Sequence, residues 1–169
     1  MTTALRRKTA GGVMLLAAGK GLRMRPLTRY RPKPLVEVAG RSLIDRALDR
    51  VVEAGIERAV VNLHYRGDML RKHLARRDDI ALQYSDESKA LLETGGGVHK
   101  ALRFLKDNQG RAKPFFVANS DALWLDRGPN AFDRLAEFWD GRRMDALLLL
   151  QRKSSAIGYD RTGDYRLAA

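Results

Sequence analysis

Four cations, Lys20, Arg23, Arg25 and Lys33, surround backbone that carries almost no side chain, Ala17-Ala18-Gly19 and Gly21. A ligand can approach such backbone closely, and its N–H groups can point at phosphate oxygens. The chemistry this pattern serves is the binding of crowded negative charge, and we read it as a nucleoside triphosphate site. Two commoner phosphate loops do not fit. Gly19-Lys20 is followed by Gly21 where a Walker A loop needs a hydroxyl residue, and the third glycine of a dinucleotide fingerprint would fall on Met24, with Pro26 close behind. A glycine turn with solvated cations is the competing reading of this loop taken alone.

Further residues could join such a site. Arg23 can grip a triphosphate through the bidentate fork of its guanidinium. Lys33 lies between Pro32 and Pro34, which stiffen the backbone that carries it. Asp121 follows the apolar run Phe115-Phe116-Val117-Ala118, and a carboxylate at a strand end suits magnesium, which prefers hard oxygen ligands. Thr94-Gly95-Gly96-Gly97 would let backbone meet a flat base without side-chain interference. His64, His73 and His99 read as structural or surface residues, and Trp124 and Trp139 as packing.

The elements that must position these residues can be read from periodicity. Val13 to Ala17 is a short apolar run, the mark of a strand buried on both faces. Ser42 is expected to cap a helix with Asp45 as capping-box partner, and Leu43, Ile44, Ala47, Leu48, Val51 and Val52 share one face of it. Gly55 is its expected left-handed stop. Strands are predicted at 58–63, 80–84, 114–118 and 145–150, and helices at 68–75, from Val98 to Leu105, and at 130–138. Strand and helix alternate, which predicts an α/β fold, a Rossmann-like, mostly parallel central sheet with helices on both faces. Ligands in such sheets sit beyond the carboxyl ends of the strands, where the first glycine loop, Asn62 and Asp121 would converge.

Composition sets the bounds. The chain has 169 residues, enough for one domain with a real core. No run of 18 apolar residues is present, so no membrane span is expected. Residues 1 to about 10 read as a frayed basic leader. Cysteine is absent, which removes disulfides and thiolate metal sites and fits a cytoplasmic protein. The net charge of +12 raises a second class of function, nucleic-acid binding. Against it, basic residues are spread along the chain and alternate with acids, as in Asp45-Arg46 and Asp49-Arg50, and no aromatic-laced basic stripe is seen. Phosphate-rich small substrates favour a positive field as well.

Leu16-Ala17-Ala18-Gly19-Lys20-Gly21-Leu22-Arg23, Pro26-Leu27-Thr28 and Pro32-Lys33-Pro34-Leu35 together resemble the signature of the sugar-phosphate nucleotidyltransferases. The resemblance runs over essentially the whole chain. It implies transfer of a nucleotide from a nucleoside triphosphate to a sugar 1-phosphate, with release of pyrophosphate and with magnesium as cofactor. Arg23 and Lys33 then become the catalytic cations. Ala17, Ala18, Gly19, Lys20, Gly21, Arg23, Thr94, Gly95 and Gly96 become the nucleotide site, in which the resemblance gives the nucleobase to the Ala17-Ala18-Gly19 backbone and the second glycine loop, and Asp121 becomes the metal ligand. Asn119 and Asp164 become sugar contacts, Asp164 with a hairpin-turn role as its alternative.

Val61-Asn62-Leu63-His64-Tyr65, Leu92-Glu93-Thr94-Gly95-Gly96-Gly97 and Asn119-Ser120-Asp121-Ala122-Leu123-Trp124 resemble one bacterial subgroup of that family. Its activity is transfer of UMP to N-acetylmuramic acid α-1-phosphate in cell-wall recycling. The runner-up is mannose-1-phosphate guanylyl transfer, whose enzymes usually carry Leu-Gly-Thr-Ala-Gly where this chain has Leu92-Glu93-Thr94-Gly95-Gly96. A non-catalytic nucleotide sensor on the same fold is a third reading. Members usually continue further, so the resemblance implies a C-terminally truncated domain that lacks a second metal-binding aspartate and part of the sugar half.

Overall fold

The computed structural model describes residues 11–107, 109–111, 113–160 and 162–166. The expected leader lies outside the described residues. Strand β1 is Val13–Leu16, and its successive side chains enter two different cores. Val13 and Leu15 point into one; Met14 and Leu16 point into the other. A strand buried on both faces needs that continuous apolar run, as the sequence predicts.

Around β1, β4 (Arg58–Leu63), β5 (Ala81–Asp86) and β6 (Phe116–Asn119) form a four-stranded sheet of order β5-β4-β1-β6. Every pairing in it is parallel. A short hairpin of β2 (Glu37–Val38) and β3 (Arg41–Ser42) turns through Ala39 and Gly40, both at positive φ as a type I′ turn requires.

Helices α1 (Leu43–Glu53) and α2 (Gly67–Leu74) cover one face, where Ile44, Leu48, Val51, Leu70 and Leu74 meet Val13, Leu15, Ala59 and Val61. Phe132 of α4 (Ala131–Phe138) joins this core and packs edge-on against Phe116 and Trp124. Helix α3 (Glu93–Ala101) and the turn after it cover the other face with Val98, Ala101 and Leu105. The chain moves outward from β1 to β4 to β5, then returns to place β6 on β1's free side. That reversal leaves a crevice beyond the ends of β1 and β6, where ligands bind in sheets of this kind. No helix among the described residues is long and apolar enough to cross a membrane.

Two expectations need correction. The predicted strand at 145–150 does not form; the segment is irregular, and Leu148, Leu149 and Leu150 are 56%, 47% and 45% exposed. An apolar run becomes a strand only beside a pairing edge, and this one has none among the described residues. Thr94 and the glycines at 95–97, expected as a loop before a helix, lie inside the first turns of α3. Glycine is a poor helix former, and tertiary packing overrides that preference here.

The start and end of α1 follow the sequence closely. Ser42 Oγ accepts from the Asp45 N–H, and Gly55 takes φ 70° while its N–H and that of Ile56 bond back to Val52 and Val51, a Schellman stop. Half-burial works to raise the Asp45 carboxyl pKa, but hydrogen bonds from Ser42 Oγ and His73 Nε2, both 2.7 Å, outweigh it and hold the group below its ordinary value. A depressed carboxyl stabilises the fold above its unfolded pKa and loses that contribution as pH falls. Asp45→Asn is expected to cost about 0.5–1 kcal/mol at pH 7, with the gap to wild type closing below about pH 4 in urea unfolding.

Candidate active site

Beyond Leu16 the chain leaves the sheet and enters the glycine loop. Ala17 and Ala18 are buried, and Gly19 and Lys20 are exposed. At Gly21 the backbone turns left-handed, φ 63°, and a short 3-10 turn over Leu22–Met24 presents Arg23 to solvent. The turn is fixed from below by buried Thr28, whose Oγ1 donates to the Gly21 carbonyl at 2.7 Å. Gly21 admits no side chain. A Cβ there would lie 3.0 Å from Thr28 Cγ2 and 3.1 Å from Lys33 Cβ, and positive φ strains any other residue. The Thr28 segment is tied in turn to the start of α2, because Tyr65 Oη donates to the Thr28 and Arg29 carbonyls and Arg66 donates to the Arg29 carbonyl.

Lys33 opens a 3-10 turn between two buried prolines. Its Nζ stands 2.5 Å from Asp121 Oδ2 with the two side chains 26% and 35% exposed, so the cation and the carboxyl are paired yet open to solvent. Asp121 owes its place to Ser120. That fully buried residue donates through Oγ (2.7 Å) and through its N–H (3.3 Å) to the Leu16 carbonyl, pinning the end of β6 to the end of β1. Gly21, Thr28, Lys33 and Asp121, from three separate segments, thus meet at the crevice.

The other side of the crevice is built on a buried polar chain of which the sequence reading singled out Asn62 alone. Asn62, at the end of β4, accepts the Ala17 N–H at 2.6 Å and donates to Glu87 Oε1 at 2.8 Å. Glu87 Oε2 accepts the Leu92 N–H at 3.1 Å, just ahead of α3. The two glycine-rich segments, far apart in sequence, are therefore joined through two side chains. Glu87 carries little signal in a sequence, since a lone glutamate after a strand normally reads as a solvated surface residue. Asn119 is exposed beside Leu16 in the ladder, and Thr94, Gly95 and Gly96 are exposed at the start of α3. Asp164 lies on an exposed irregular segment, where it accepts from Tyr159 Oη at 3.0 Å; among the described residues no hydrogen bond or ion pair joins it to the strand ends. Of the histidines, His64 Nδ1 meets the Glu87 carbonyl and His73 pairs with Asp45, both positional roles as expected.

A metal would find one carboxyl here. No group of three or more His, Cys, Asp or Glu side chains among the described residues could close around an ion. Asp121 fits a magnesium ion that keeps its waters and takes phosphate oxygens, the usual mode for this ion, and does not fit a cage made wholly of protein.

The family model described as nucleotidyl transferase matches residues 12–159. The chain belongs to that family. Within it, the chain is 48% identical to an N-acetylmuramate alpha-1-phosphate uridylyltransferase of Caulobacter vibrioides, over 92% of this chain and 64% of the relative. A protein of the same name from Neisseria meningitidis is 41% identical over 65% of this chain and 46% of its own length. The structure of HddC from Yersinia pseudotuberculosis superposes with TM-score 0.55 at 26% identity, covering 64% of this chain and 47% of that one. The chain spans 64% or less of the length of each of these proteins.

The loop geometry carries its own test. Gly21→Ala is expected to displace Thr28 or Lys33 and to destabilise the fold by about 1–2 kcal/mol, read as a lower midpoint in urea unfolding.

Proposed function

We propose that the chain carries the nucleotide-binding part of an enzyme that transfers UMP from UTP to a sugar 1-phosphate, N-acetylmuramic acid α-1-phosphate being the favoured acceptor. The observation that carries this reading is the Lys33–Asp121 pair beside the Gly21 turn, at the crevice between β1 and β6. The named uridylyltransferase relatives favour UTP and that sugar.

In the reaction a phosphate oxygen of the sugar 1-phosphate attacks the α-phosphorus of the triphosphate. The new P–O bond forms as the bond to the β-phosphate oxygen breaks, and pyrophosphate leaves with that electron pair. The nucleophile is already anionic, so no general base is needed; in-line positioning and charge neutralisation are. Lys33, held by its prolines, supplies a positive charge where the two reacting phosphates meet. Arg23 and Lys20, exposed on the loop, engage the outer phosphates. Asp121 would hold magnesium, which supplies charge neutralisation on the phosphate oxygens when bound. Backbone at Ala17, Ala18, Gly19 and Gly21 and at Thr94, Gly95 and Gly96 takes the nucleotide, and Asn119, exposed at the end of β6, takes the sugar. Such an enzyme acts in the cytoplasm, in the recycling of cell-wall sugars.

A thermal-shift panel with magnesium and UTP, GTP, CTP, dTTP or ATP, with a short DNA duplex alongside, tests the reading. UTP-selective stabilisation is expected, since a ligand that binds only the folded state raises its apparent stability. GTP selectivity would move the assignment to guanylyl transfer. Stabilisation by DNA alone, lost in salt, would replace the enzyme reading with nucleic-acid binding. Lys33→Ala is expected to slow pyrophosphate release from UTP and the sugar 1-phosphate by about 100-fold or more, and a near-normal rate would remove Lys33 from the mechanism. Asp121→Asn is expected to abolish the magnesium dependence of that rate.

A further inference from the structure

We propose that Asn62 and Glu87 form a buried positioning pair that holds the two glycine-rich backbone segments at the separation a nucleobase requires. The inference rests on the reading of the crevice as a nucleotide site. Asn62 is 3% and Glu87 1% exposed. Their polar atoms are spent on each other and on the two segments. Asn62 Oδ1 takes the Ala17 N–H, Asn62 Nδ2 donates to Glu87 Oε1, and Glu87 Oε2 takes the Leu92 N–H. The backbone of Glu87 is itself fixed, its N–H on the Leu63 carbonyl at 2.7 Å and its carbonyl on His64 Nδ1 at 2.8 Å. A carbonyl only accepts, so His64 Nδ1 carries the proton.

The pair also sets how closely α3 may approach. A Cβ on Gly97 would stand 2.9 Å from Glu87 Oε1 and 3.0 Å from Asn62 Nδ2, so the helix backbone rests directly on the pair. In front, the surface is bare: a Cβ on Gly19 or on Gly95 would meet nothing within 4 Å. Both segments are thus clamped from behind and open ahead, the shape a flat ligand needs. Apolar residues of similar volume would fill this space without the desolvation cost of a buried carboxyl and amide. What apolar residues could not do is bond the Ala17 and Leu92 N–H groups and so define their spacing. The Gly21 turn is anchored apart from the pair, through Thr28, whereas Ser120 and Asn62 hold the two sides of the Leu16–Ala17 peptide group, so the pair bears most directly on the Ala17 and Leu92 backbone and least on the Gly21 turn.

Donor and acceptor polarity makes the pair testable by exchange. In Glu87→Gln, if the amide oxygen keeps Asn62, the amide nitrogen meets the Leu92 N–H, donor against donor. In Asn62→Asp, two acceptors face each other across the pair. The double variant Asn62→Asp/Glu87→Gln restores a complete chain with its direction reversed. Aspartate takes the Ala17 N–H and the glutamine amide, and the glutamine oxygen takes the Leu92 N–H.

The experiment is calorimetric titration of the full chain with UTP plus magnesium, and separately with inorganic triphosphate plus magnesium. Each single variant is expected to weaken UTP by about tenfold or more while leaving inorganic triphosphate within about twofold, and the double variant to recover UTP affinity to within about threefold of wild type. Equal losses for both ligands, unchanged UTP affinity in a folded Glu87→Gln, or a double variant no better than the weaker single would overturn the inference. Should the single variants fail to fold, wild-type hydrogen exchange decides. UTP is expected to slow exchange at the Ala17 and Leu92 amides by about tenfold and inorganic triphosphate is not, and no difference between the ligands would overturn the pair's role. Wild-type chain that binds no nucleoside triphosphate would overturn the proposed function, and the pair's role with it; wild-type binding with indifferent variants overturns the pair alone.

Discussion

A strand that ends inside a protein leaves backbone groups that must still be bonded, and the end of β1 is where this molecule meets that requirement. At Leu16 the ladder runs out. The Leu16 carbonyl is taken by Ser120 and the Ala17 N–H by Asn62. Each residue that satisfies β1 stands at the end of a neighbouring strand, and each brings a chemical group to the crevice. Ser120 brings Asp121. Asn62 brings Glu87 and, through it, the start of α3. The buried termination of one strand thus assembles most of the candidate site.

The site divides into two halves with different physics. The half around Gly21, Lys33 and Asp121 is half-open and charged. Its cations Lys20, Arg23 and Arg25 are exposed, while Lys33 is kept from wandering by its prolines and by the paired carboxyl. The half around Asn62, Glu87 and Gly97 is closed and neutral in its dealings with ligand: it offers backbone and keeps its polar side chains behind. Charge recognition tolerates motion because Coulomb attraction is long-ranged, whereas recognition of a flat base by backbone depends on tenths of an ångström. In the proposed reading the buried network stands behind the base, where tolerance is small. Some of the remaining positive charge is paired locally, as where Arg41 and Arg77 meet Asp49, and Arg77 meets Asp79.

How far the chain could be read without coordinates varied with the range of the interaction concerned. Local rules placed β4 over 58–63, the Ser42 cap, the Gly55 stop and the α2 helix within a residue. The β1 run was legible because burial on both faces leaves no polar position in it. Lys33 and Asp121 were each singled out by local context, a proline frame and a strand end. Their 2.5 Å contact was not legible, because 88 residues separate them and the contact depends on β6 returning to pair with β1.

The segment at 145–150 and the glycines of α3 show the limit from the other direction. Strand propensity in Leu148 to Leu150 came to nothing without an edge to pair with, and glycines that favour a loop were wound into a helix lying against Glu87. Residue types and spacing by themselves determined the alternation of strand and helix from β1 to α4 and the parallel α/β class, since these follow from hydrophobic period and burial. Only the tertiary structure decided that Asn62 and Glu87 would be buried together between two distant glycine segments. A buried hydrogen bond depends on which strand lies beside which, and no local rule of the chain specifies that.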